Sequence, residues 1–186
     1  MVNLQNARPG DTKIVFTGPM GAGKTTAINA VSDSRVLSTE VPISDGSSVG
    51  AKSHTTVGFD YGECLLDYGQ SLRLFGTPGQ ERFRFMWDII GAGAFGLVVL
   101  IDNSRPDPIG DVERYLEAFA RQIPRERTVI GVGRLEDAPS PSIEDYCQRL
   151  AANHAPVPVI DVDVRQADDV RLLLSVLVSL VEVQHE

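Results

Sequence analysis

Gly18-Pro19-Met20-Gly21-Ala22-Gly23-Lys24-Thr25 combines glycines, a lysine and a hydroxyl in the spacing G-x-x-x-x-G-K-[ST]. Glycines at this spacing let backbone N–H groups converge on a polyanion, and a helix starting at the same place adds its positive N-terminal end. Lys24 adds a point charge for the outer phosphates, which makes it a catalytic as well as a binding candidate. The Thr25 hydroxyl suits Mg²⁺, a hard cation that prefers oxygen ligands. Gly18, Met20, Gly21, Ala22, Gly23, Lys24, Thr25 and Thr26 are therefore the residues expected around the phosphates. The chemistry implied is binding of a nucleoside triphosphate with Mg²⁺.

A second loop, Gly76-Thr77-Pro78-Gly79-Gln80-Glu81-Arg82-Phe83, follows a short apolar run. The strands feeding the two loops must be neighbours. Residues 13–17 form an apolar, β-rich run leading into Gly18, and residues 24 to about 32 read as a helix. Residues 56–67 and 71–75 read as two strands joined by the turn Asp67-Tyr68-Gly69-Gln70, hence antiparallel, with the second beside the first strand of the chain.

Residues 95–101, 128–132 and 157–162 are continuous apolar strands of the kind buried on both faces of a parallel sheet. Helices at 111–123, 142–153 and 168 to about 183 alternate with them, and a short helix lies near 86–90. The reading is a single α/β P-loop domain over residues 12–186, behind a flexible tail at 1–11. Its sheet has six mostly parallel strands with one antiparallel edge strand and helices on both faces. Residues 33–55, rich in Ser, Pro, Asp and Gly, read as a long loop.

The chain has 186 residues, 42% of them hydrophobic, enough for one sizeable core. A net charge of −8 with scattered basic residues excludes a general nucleic-acid surface. Cys64 and Cys147 read as two small buried thiols, which suits a reducing cytosol. Histidines 54, 154 and 185 are not at metal-ligand spacing and receive no role. The ends MVNL and VQHE carry neither a myristoylation nor a prenylation signal, and residues 95–101 are too short to span a bilayer. The expectation is a cytoplasmic protein without a direct membrane anchor.

The run Gly76 to Phe83 resembles the switch II segment of Ras-like and Arf-like small GTPases, and Trp87 a few residues on fits the Arf-like pattern. Thr56-Val57-Gly58-Phe59-Asp60 similarly resembles the Arf-type start of the second strand. The resemblance covers about residues 12–183 and is nearest to prokaryotic members, the MglA-type polarity proteins and the conservon GTPases. It implies that Gly79 senses the γ-phosphate, that Gln80 orients the attacking water and that Thr56, with Thr55 next, closes over Mg²⁺. It also implies slow Mg²⁺-dependent GTP hydrolysis, a nucleotide-dependent switch, and protein partners: effectors and a regulator, either a GTPase-activating protein (GAP) or a roadblock-type protein. Arg35, Arg73, Arg82, Arg84 or a partner can supply a neutralising arginine.

Three departures stand out. Gly76 occupies the place of the aspartate that holds a Mg²⁺-bound water in eukaryotic relatives, and Thr56 follows Thr25 at a longer interval than in Ras-like switch I, implying an enlarged switch. Where the family reads guanine with Asn-Lys-x-Asp, this chain has Gly133-Arg134-Leu135-Glu136. The resemblance puts Arg134 along the base and Glu136 at its N–H groups, with Asp137 as fallback, and the backbone at Asp163, Val164 and Arg165 against the guanine carbonyl. An ATP-using P-loop phosphotransferase and a non-hydrolysing nucleotide-sensing module remain alternatives.

Overall fold

Ile14 and Phe16 enter one apolar cluster and Val15 the other, so the strand that carries them is covered on both sides and belongs at the centre of a sheet. The structure, a computed structural model, describes residues 12–42, 54–65, 71–152 and 156–183. In chain order the elements are β1 (Thr12–Thr17), α1 (Lys24–Val31), β2 (Leu37–Pro42), β3 (His54–Leu65), β4 (Ser71–Gly76) and α2 (Phe85–Gly91), followed by β5 (Gly96–Asp102), α3 (Pro108–Phe119), β6 (Thr128–Gly133), α4 (Ile143–Ala151), β7 (Val159–Asp161) and α5 (Ala167–Val183). The sheet runs β2-β3-β4-β1-β5-β6-β7. β1 pairs in parallel with both β4 and β5, and β5, β6 and β7 continue in parallel.

The α/β class and the alternation of strands and helices are as expected, with seven strands among the described residues instead of six. Residues 37–42, read from sequence as loop, form β2 and pair antiparallel with β3. Pairing supplies what local propensity does not: the irregular stretch gains ladder hydrogen bonds along β3, with a register shift between Ser38 and Glu40. β3 also runs antiparallel to β4, so the reversed strand lies one place in from the edge. The tail at 1–11 and the turn at 67–70 lie outside the described residues.

One face of the sheet packs on α1 and α5 through Ile28, Val31, Leu173 and Leu177 against Phe16, Leu74, Val98 and Leu100. The other packs on α2, α3 and α4 through Trp87, Val112, Phe119 and Tyr146 against Val99, Ile101 and Ile130. Helix α3 starts at Pro108 rather than at 111. The Asp107 side chain accepts from the Gly110 N–H, and Pro108 sits in the first turn, where a missing donor costs nothing. It ends at Phe119, whose carbonyl accepts from Gln122 and Ile123. α4 starts at a capping box between Ser142 and Asp145. Cys64 is buried as expected, whereas Cys147, on the outer side of α4, is exposed.

The parallel register sets Phe16 opposite Gly76 and Asp102 opposite Gly133. The loops that follow β1, β4, β5 and β6 therefore emerge along one edge, the carboxyl edge where open α/β sheets bind ligands.

Candidate functional site

The P-loop leaves β1 at Gly18 and ends at Gly23, the N-cap of α1 at φ 87°. The first N–H groups of a helix have no intrahelical partner, so the amides of Lys24, Thr25 and Thr26 are the donors such a loop presents to an anion. A Cβ at Gly23 would lie 2.6 Å from Val164 Cγ2, so the loop packs directly on the turn after β7. Lys24 is 8% exposed and its Nζ donates to Gly18 O and Pro19 O, each at 2.8 Å. Those bonds hold the ammonium beneath the loop.

The loop after β4 rests on the P-loop. Thr77 N donates to Phe16 O at 2.9 Å, and the Thr17 and Thr77 hydroxyls meet at 2.8 Å, fastening the starts of the two loops together. A Cβ on Gly79 would stand 2.6 Å from Met20 N and 2.9 Å from Lys24 Nζ, so only glycine permits this approach. The amide Nε2 of Gln80 contacts Met20 Sδ at 3.7 Å. Behind them Trp87, 3% exposed, donates from Nε1 to Pro78 O at 3.0 Å and stacks on Phe119 at 5.9 Å. The segment 82–87 thus divides: Trp87 is core, while Phe85, with Ile89 beyond it, is exposed. Arg82 and Arg84 lie over the Phe83 and Trp87 rings. Arg73 sits on the body of β4, in register with Lys13 and Glu63.

A cleft of about 500 Å³ joins the P-loop to the loops after β6 and β7. Gly21, Ala22, Gly23 and Thr26 line one side, Arg134, Glu136 and Asp137 another, and Asp163, Val164 and Arg165 a third. Arg134, with φ 64°, turns its guanidinium to Asp102 at 3.2 Å. Glu136 and Asp137 are exposed at the rim. Arg165 grips Asp163 with two nitrogens, Nη2 to Oδ2 at 2.7 Å and Nε to Oδ1 at 2.8 Å. Those bonds hold the Asp163 carboxyl at about 2, below its usual range. The Arg165 amide also donates to Asp163 Oδ1 at 3.0 Å. The structure therefore brings together the P-loop residues, Gly79 and Gln80 at one end and the residues at 134–137 and 163–165 at the other. Thr55 and Thr56 fall within β3, with their side chains outside the described residues.

Two buried polar residues were not singled out from sequence. Asp60, 1% exposed, accepts from the Thr25 hydroxyl at 2.6 Å and from the Ser38 hydroxyl. Asn103, also 1% exposed, donates from Nδ2 to Ala138 O at 2.6 Å and Pro141 O at 2.9 Å and accepts from the Tyr146 hydroxyl at 2.7 Å, fixing the loop after β6 to the end of β5. A charged residue two after Gly58 was the available signal for Asp60, because it interrupts an otherwise apolar and aromatic strand start. The oxygen-only set of Thr25 hydroxyl and Asp60 carboxylate fits Mg²⁺, which takes one or two carboxylates together with phosphates and water. Among the described residues no group of three His, Cys, Asp or Glu forms a protein-only metal cage.

No family model matches the chain. It is 24% identical over 129 residues to the Ras-related protein Rab-26 of Rattus norvegicus, covering 68% of this chain and 46% of that one. It is also 24% identical over 153 residues to Ras-related protein Rab-5B of Plasmodium falciparum, covering 78% and 68%. The chain thus spans about half the length of the Rab-26 relative. A structure of the Arl6 BBS3 small GTPase from Trypanosoma brucei with bound nucleotide analogue GppNp superposes with a TM-score of 0.68 over 93% of this chain and 98% of that one, at 16% identity. The fold is that of the small Ras/Arf-like GTPase superfamily. Gly18–Thr26 and Gly76–Gln80 meet at one end of this carboxyl edge, and residues 133–137 and 163–165 line the other. Gly76 and Gly133 mark where this chain departs from the expected side chains.

Proposed function

We propose that the chain is a GTP-binding molecular switch with slow Mg²⁺-dependent hydrolysis. The observation that carries this reading is the contact of the loop after β4 with the P-loop, where a Cβ at Gly79 would lie 2.6 Å from Met20 N and 2.9 Å from Lys24 Nζ. A loop held this near the lysine responds to a third phosphate, because gain or loss of that group changes what the loop touches. Lys24 supplies positive charge, the amides at the start of α1 bind phosphate oxygens, and Gln80 orients water. The metal supplies charge neutralisation between phosphates when bound, with the Thr25 and Thr56 hydroxyls as its protein ligands. At the base end, Arg134, Glu136, Val164 and Arg165 surround guanine.

The exposed Phe85 and Ile89 beside the second loop are the surface offered to effector and regulatory proteins, of the activating or roadblock type. A cytoplasmic protein of the prokaryotic branch completes the proposal. Single-turnover GTP hydrolysis tests it: the wild type hydrolyses slowly and Gln80→Leu more slowly still. An unchanged rate in Gln80→Leu removes the role given to Gln80, and no turnover in the wild type, with or without candidate partners, leaves a nucleotide-sensing module. The second reading, an ATP-using phosphotransferase, draws on Gly133 in place of a base-reading amide.

A further inference from the structure

Resting on the nucleotide reading above, we propose that Asp60 of β3 positions Thr25 for the divalent cation, in place of the carboxylate that β4 lacks at Gly76. P-loop proteins hold Mg²⁺ with the P-loop hydroxyl and an aspartate from a neighbouring strand, and the β4 strand beside this P-loop ends in glycine. The register of β3 against β4 pairs Asp60 directly with Gly76, so a carboxylate on β3 arrives at the same corner from the next strand over. Its Oδ2 lies 2.6 Å from Thr25 Oγ1, the atom the motif assigns to the metal.

The hydrogen bond has a definite sense. A hydroxyl has one proton and two lone pairs, and a carboxylate only accepts. With its proton committed to Asp60, Thr25 turns its lone pairs outward and becomes a better donor to a cation, as an outer carboxylate does for a metal-bound imidazole. Ser38 of β2 donates to the other oxygen, Oδ1, and fixes the carboxylate plane. Both of these partners are hydroxyls, and they satisfy a carboxylate that is only 1% exposed.

Gly76 is the other half of the arrangement. A Cβ there would stand 3.0 Å from Asp60 Oδ2 and 3.1 Å from Asp60 Cβ, so a side chain on β4 crowds the Asp60 carboxylate, which must give way by a few tenths of an ångström. The glycine thus leaves the space that the carboxylate from β3 occupies. Ile28 Cδ1, also 3.0 Å from that Cβ, is the far end of a flexible side chain and can move.

The test is release of a fluorescent GDP from the full-length chain, measured in Mg²⁺ and in EDTA. In the wild type Mg²⁺ slows release. In Asp60→Asn the slowing shrinks by about 10- to 100-fold, the usual cost of losing an outer-shell partner, while release in EDTA stays close to wild type. The relocation variant Asp60→Ala/Gly76→Asp regains part of the Mg²⁺ effect that Asp60→Ala loses. Thermal unfolding scores folding, and if the relocation variant does not fold, Asp60→Asn alone decides. An unchanged Mg²⁺ effect in Asp60→Asn, or equal losses in Mg²⁺ and EDTA, overturns the proposal. A wild type that binds no GDP in either buffer overturns the nucleotide reading instead.

Discussion

At the end of the cleft proposed for the phosphates Lys24 is 8% exposed and tied to two backbone carbonyls, whereas at the end proposed for the base the side chains of Arg134 and Arg165 are 59% and 78% exposed and paired with carboxylates. The first arrangement is built from backbone at helix and strand ends and is fixed before any ligand arrives. The second is built from long side chains whose ion pairs, at that exposure, contribute little to rigidity. Each end also has a glycine where the small GTPase pattern has a polar side chain. At Gly76 the adjacent strand supplies Asp60 at hydrogen-bond distance from Thr25. At Gly133 the adjacent strand supplies Asn103, which bonds to Ala138 O and Pro141 O and braces the loop instead of facing the cleft. A lost side chain can thus be replaced in position without being replaced in function.

The comparison is tested most severely at Lys24. Lys24→Ala removes a charge held in a buried setting and is expected to weaken GDP binding by roughly 2–5 kcal/mol, measured by titration calorimetry. A loss no larger than that for a base-end arginine breaks the contrast between the two ends.

Gly133→Asn gives an intermediate effect of opposite sign. A Cβ there meets Val162 O at 3.5 Å and Ile101 O at 3.7 Å, ordinary contacts, so the first atom of the side chain is free of the crowding seen at Gly76. One added hydrogen bond of about 0.5–1.5 kcal/mol should tighten GDP and leave ADP unchanged. Equal tightening of both nucleotides sinks the assignment of this loop to the base.

Arg165→Ala should change GDP affinity least of the three, because the pair it breaks is exposed. Its pH behaviour sharpens the point. Arg165 holds Asp163 at about 2, below the unfolded carboxylate value of about 3.9, so the pair is fully charged above that value and is lost only as pH falls through 2. GDP affinity measured from pH 6 to 8 should show no step from this pair, and a step abolished by Arg165→Ala contradicts the assignment.

The loop between β1 and α1 was legible because its motif lies in eight consecutive residues, and the strand before it and helix after it follow from periodicity. Asp60 was not, because its role exists only through the β3–β4 register, which pairs it with Gly76 across a turn. β2 escaped for a related reason: its residues have no strong strand pattern and gain their structure from β3. The early start of α3 was readable in principle from Asp107-Pro108, a capping residue followed by proline. Asn103 shows no local pattern at all, since its partners Ala138, Pro141 and Tyr146 come from a distant segment.

Titrating the purified chain with GDP and ADP side by side in Mg²⁺ bears most directly on the central claim, because it engages both ends of the cleft while holding the phosphates constant. The account predicts tighter binding of GDP. Equal affinities, or tighter ADP, contradict a guanine-nucleotide switch.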